Sequence, residues 1–191
     1  MSRGADPQPD ANRDVPEQVR ALEGTYTGAW TEYGIDDKGE VVKRMAWTDT
    51  MRAGSPEVTG ERAYVATTDE MTFEKAQEPP FTVEGKEGFY LTKAGGLGDY
   101  FIETYGQVHR LARLGDNVWT FAAVAAEQEL AHLGFYEGAS GQHVVIKVVT
   151  TERGVETHRV SRVTTVSWKD KGGKDRALQF VSLRGYHQRQ S

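Results

Sequence analysis

The chain has 191 residues, 38% hydrophobic and 27% charged, with a formal net charge of −5 and no cysteine. This is the composition of one globular domain, and it excludes disulfides, thiolate metal ligands, thiol nucleophiles and Cys-ligated iron–sulfur clusters. No apolar run is long enough for a membrane-spanning helix, and the acidic balance argues against a nucleic-acid partner, which needs clustered Lys and Arg.

Residues 1–14 are polar and carry Pro7 and Pro9, so they are expected to be a disordered tail ahead of a single domain over 15–191. The segment MSRGADPQPDANRD has no apolar h-region of a signal peptide, which leans toward a cytoplasmic location. DVPEQVRALEG then reads as one or two turns of helix. Pro16 suits a first turn, Asp14 is positioned to cap, Gly24 stops the helix, and Val19 and Leu22 share a face.

The rest alternates with period two. LEGTYTGAWTEY, from Leu22 to Tyr33, puts Leu22, Gly24, Tyr26, Gly28, Trp30 and Glu32 on one face and Thr25, Thr27, Ala29 and Thr31 on the other. Further strands are predicted over Val41–Arg52, Glu61–Phe73 and, once or twice, from Phe81. Tyr100–Leu114 is predicted as one long strand, with LGDN at 114–117 turning into VWTFAAV. A short helix or irregular excursion is predicted around 125–133, with continued strand as the alternative. From His143 the pattern gives strand, an Arg153–Gly154 turn, strand, and a last strand over Arg176 to about His187. WKDKGGKDR at 168–176 is a hairpin tip, not a basic patch, because two aspartates interrupt it. Eight to ten meandering strands must hide their edges, so the expected fold is all-β: an up-and-down antiparallel barrel with a short N-terminal helix, a two-sheet sandwich being the alternative.

A short helix followed by Leu-x-Gly-Thr-aromatic-x-Gly over residues 22–28 resembles the opening of the calycin superfamily, which includes lipocalins, fatty-acid-binding proteins and nitrobindin-like haem proteins. Lipocalins carry Gly-x-Trp there; Gly24 matches, and Tyr26 stands in place of the tryptophan. The closing RALQFVSLRGYHQR resembles the last strand of nitrobindin-like domains. The resemblance implies a barrel with an internal cavity and an Arg184 stacked on Tyr26. It also implies that, if haem is bound through one histidine, His158 and His187 are its positional equivalents.

Candidate chemistry is sparse. The histidines His109, His132, His143, His158 and His187 show no metal-ligand spacing, and no metal or cofactor is predicted. KAGGLGDY at 93–100 reads as a hairpin turn near a barrel mouth, and EGASGQ at 137–142 lacks the context of a nucleophile elbow. In YFIETYGQVHRL, Phe101, Glu103, Tyr105, Gln107 and His109 would share one strand face, with Glu103 and His109 placed to act as an acid–base pair; Asp49 likewise interrupts the apolar face of Trp47. The expected lining is therefore Tyr26, Trp30, Trp47, Asp49, Glu103, Tyr105 and His109, around a small hydrophobic or aromatic ligand. A cofactor-independent isomerase or cyclase, a haem-binding barrel and a solidly packed partner-binding module are the rival readings, and a homodimer is left open.

Overall fold

The computed structural model describes residues 14–35, 40–74, 80–132, 138–152 and 155–188. The N-terminal tail and the Arg153–Gly154 turn predicted from sequence lie outside these residues. In chain order the elements are α1 (Glu17–Arg20), β1 (Gly24–Ile35), β2 (Val41–Ala53), β3 (Glu57–Thr59), β4 (Arg62–Phe73), β5 (Phe81–Leu91), β6 (Leu97–Thr104) and β7 (Gln107–Gly115). They continue with β8 (Val118–Val124), α2 (Glu127–His132), β9 (Ser140–Glu152), β10 (Val155–Lys169) and β11 (Asp175–Gln188). Each strand except β2 pairs antiparallel with the next, β1 also pairs with β11, and β2 passes over β3 to pair with β4, which closes the ring. The result is an up-and-down barrel of ten strands, with β3 a short flap on β4. Ten strands enclose a wider interior than the eight that side chains alone just fill.

Because successive strands reverse direction, the barrel has two distinct ends. α1 lies at the end where β1 starts and β2 finishes. Its Val19 and Leu22 are buried, Val19 with Val58 and Ala63, and Leu22 with Tyr26, Met51, Ala53 and Val65. Pro16 is the N-cap of α1, and no side chain among the described residues caps the helix, so Asp14 does not take the capping role expected for it. The glycine-rich turn at 93–96 is a hairpin turn, but it connects β5 to β6 at this plugged end rather than at a mouth. The hairpin tip at 170–174 is as expected: Asp170 accepts hydrogen bonds from the backbone N–H groups of Gly172 and Lys174 and from Arg176.

The predicted long strand from Tyr100 is instead a hairpin. Tyr105 (φ 50°) and Gly106 (φ 73°) both adopt left-handed backbone, the requirement of a two-residue turn whose twist matches the flanking strands. Thr104 pairs with Gln107, Ile102 with His109 and Tyr100 with Leu111, so these residues share the inner face. Phe101, Glu103, Val108 and Arg110 therefore face outward. Phe101 is nonetheless fully buried, beside the rings of Tyr64 and Tyr90 and under the Arg62 guanidinium. Gly88, its cross-strand partner, leaves room there: a Cβ would lie 2.2 Å from the Ala63 carbonyl oxygen. Gly106→Val should cost about 1–3 kcal/mol, because a β-branched residue resists positive φ; a urea midpoint equal to wild type would contradict this turn geometry.

Candidate functional site

The second end of the barrel holds a cavity of about 170 Å³. That size is comparable to the roughly 150 Å³ cavity known to admit benzene. Two aromatic arcs wall it. On β1, β2, β4 and β5, Trp30 stacks on Trp47 with centroids 5.2 Å apart, Phe73 meets Trp47 edge-on at 5.5 Å, and Phe81 stacks on Phe73 at 5.4 Å. On β7, β8 and β9, His109 stacks on Phe121 at 4.9 Å, and His143 stands edge-on to Phe121 at 6.0 Å. The first arc follows from register: Trp30 is directly opposite Trp47, and Trp47 opposite Phe73.

Between the arcs stand guanidinium groups from the last two strands. Arg184 lies opposite Trp30 in register, its guanidinium 5.3 Å from the indole, whereas Tyr26 is opposite Gln188. The arginine expected over Tyr26 thus lies over Trp30, two pleat repeats further along β1. Arg184 contacts Asp49 at 2.7 Å and Asp69 at 2.9 Å. Arg162 lies over Trp30 at 4.7 Å and is paired with Glu129 of α2, which ties that helix across the mouth. Tyr105 reaches the cavity from its strained turn; burial first, then the Glu129 carboxylate, pushes its phenol up. Non-glycine residues held at positive φ are costly and cluster at functional sites.

Deeper, toward α1, lies a second polar cluster. Lys147 of β9 and the Tyr100 hydroxyl both reach Glu87 Oε1 on β5, and His158 Nδ1 is 3.7 Å from the same oxygen. Lys147 is 1% exposed, and both Lys147 and Glu87 line the cavity floor. His158 is fully buried against the ring of Tyr26 and does not line the cavity. The side chain of His187, the other haem-ligand equivalent, lies outside the described residues.

Trp30, Trp47, Tyr105 and His109 of the sequence-expected set line the cavity. Glu103 belongs to its rim, but its carboxylate is 3.6 Å from Arg62 on the outer side, so the turn at Tyr105–Gly106 separates it from His109. Asp49 is buried behind Arg184, and Tyr26 belongs to the plugged end, its hydroxyl donating to the Leu22 carbonyl at 3.0 Å. The carboxylate beside the histidines is Glu129, 3.9 Å from His143 Nδ1.

Burial sets the protonation of this interior. It raises Asp49, against the lowering pull of Arg184, and raises Glu32, against Arg44 and Arg162. It lowers His109, His143 and, most of all, His158, keeping the imidazoles neutral. A histidine whose folded value is lowered contributes stability that is complete above its ordinary value of 6.5 and is lost as pH falls toward the folded value. His143→Gln should therefore lose less stability than wild type between about pH 7.5 and about pH 5.5, read as urea midpoints; equal losses would place His143 in water.

No family model, curated protein or solved structure matches this chain. A closed antiparallel barrel is compatible with the calycin resemblance, and the site is read from its own geometry.

Proposed function

We propose that the protein binds a small flat molecule of one or two rings, carrying a hydrogen-bond acceptor, in the α2 end of the barrel. The observation that carries this reading is a pair of indole N–H groups. Trp30 and Trp47 are 8% and 4% exposed, both line the cavity, and neither Nε1 has an acceptor among the described residues. A buried donor without a partner costs about 1–3 kcal/mol, so a ligand oxygen in reach of either indole recovers that energy. The facing aromatic arcs supply the apolar contact. Arg162 and Arg184 already have carboxylate partners, which favours a neutral ligand over an anion. Trp30, Trp47, Tyr105 and His109 would touch the ligand, Glu103 would stand at the rim, and Asp49 would act by holding Arg184. Tyr26 belongs to the plugged end, outside the cavity.

Acetophenone and α-methylstyrene have the same shape and differ in the acceptor oxygen. Calorimetric titration should give acetophenone about fivefold the affinity, the equivalent of about 1 kcal/mol for one hydrogen bond. Trp47→Phe should reduce that preference. Equal affinities in the wild-type protein, or no binding of either compound, would count against the reading.

A further inference from the structure

Lys147 is the residue of this interior that ligand binding alone leaves unexplained. Its ammonium is removed from water at the cavity floor, 5.1 Å from the Tyr100 ring and paired with Glu87, among Val83, Val145 and Val160. An ion pair buried in this way is not in general more stable than the apolar side chains that could fill the same space. By contrast, Lys43 and Lys169 pair with carboxylates at the surface, 49% and 69% exposed. An amine taken out of water in an apolar pocket, beside a group that can accept its proton, is the arrangement that activates lysine toward carbonyl carbon.

We propose that Lys147 forms an imine with an aldehyde bound in the cavity, so that the ligand class includes aromatic carbonyl compounds. The proposal rests on the ligand-binding reading above. The ammonium passes one proton to Glu87, and the free amine adds to the carbonyl carbon, breaking the C=O π bond and giving a carbinolamine after proton transfer to oxygen. The Glu87 carboxylic acid returns its proton to the carbinolamine hydroxyl, which leaves as water. The nitrogen lone pair forms the C=N bond, and the cationic imine stays paired with the Glu87 carboxylate. Overall, aldehyde and ammonium give protonated imine and water, with charge unchanged. Tyr100, which donates to Glu87 Oε1, holds the carboxylate in place.

The test uses benzaldehyde with cyanoborohydride, which reduces the imine to a stable benzylamine, followed by peptide mass mapping. Benzyl alcohol, which fits the same space and forms no imine, reports the cavity by tryptophan fluorescence. At limiting aldehyde, Lys147 is expected to be labelled about tenfold or more faster than any surface lysine, the advantage of a held reactant. Excess benzyl alcohol should suppress that label, and the double variant Glu87→Met/Lys147→Met, which removes both buried charges and strands neither, should show no label at position 147. If benzyl alcohol binds but Lys147 is labelled no faster than Lys43 or Lys169, the imine proposal is overturned and the binding reading stands. If the alcohol does not bind and Lys147 stays unlabelled, both are overturned.

Discussion

Replacing Glu87 with alanine is expected to destabilise the protein by about 3–5 kcal/mol, the cost of stranding a buried partner charge. The reason is local. Lys147 is 1% exposed, and its ammonium, the Tyr100 hydroxyl and the His158 ring converge on one Glu87 oxygen. Without that oxygen the Lys147 ammonium and the Tyr100 hydroxyl lose their common acceptor, in a space closed on the α1 side by Tyr26 and Leu22. The comparison that isolates the effect is the double variant Glu87→Met/Lys147→Met. It removes both charges at similar volume and should recover most of the loss, since swapping a buried pair for apolar groups is often neutral or better. Urea unfolding of the three proteins reads the difference. A loss below about 1 kcal/mol for Glu87→Ala would mean that water reaches Lys147 and the floor of the cavity is open.

Tyr26→Ala should cost a similar amount, about 3–5 kcal/mol, by the ordinary arithmetic of deleting a large buried ring. Tyr26 is 0% exposed, packs edge-on to His158 at 5.2 Å, and donates its hydroxyl to the Leu22 carbonyl. That last bond joins the barrel wall to the end of the α1 turn, so the variant also loosens the plug. Tyr26→Phe keeps the ring and loses only the hydrogen bond, for about 1 kcal/mol. If Tyr26→Ala lost less than about 0.5 kcal/mol, the ring would be at the surface and the plugged end would not be a core.

What the sequence reveals and what it hides divides along physical lines. Alternation with short turns was enough for the barrel, because period two in an antiparallel meander leaves few other closed solutions. Trp30 and Trp47 were legible as inward residues from parity alone, and the composition after β8 offered a short helix or irregular excursion, with continued strand as its alternative, of which the helix is what forms at Glu127–His132. The Tyr105–Gly106 turn was hidden because a tyrosine occupies the first left-handed position, where asparagine, aspartate or glycine would announce it. Missing that one reversal put Glu103 on the wrong side of the sheet. The strand from His143 was legible as β9, but its inner face was hidden more deeply, because its pattern is inverted. Val144 and Ile146 are 51% and 42% exposed on the outer wall, while His143 and Lys147 are buried inside. Hydrophobic parity assigns that strand's polar residues to solvent, so the acid, base and amine of the interior went unseen. Only tertiary pairing with Glu129 and Glu87, distant in sequence, makes their burial tolerable. Arg162 follows the same logic, an arginine on an inward position sustained by α2.

The central claim is that a small aromatic molecule sits between the two arcs at the α2 end. It is tested most directly by intermolecular nuclear Overhauser contacts from acetophenone to assigned ring protons of the protein. The account predicts contacts to both walls at once, to Trp47 or Phe73 on one side and to Phe121 or His143 on the other, with the ligand methyl protons near Val83 or Val145. Contacts confined to the outward-facing rings of Tyr64 and Tyr90, or none at saturating ligand, would contradict it.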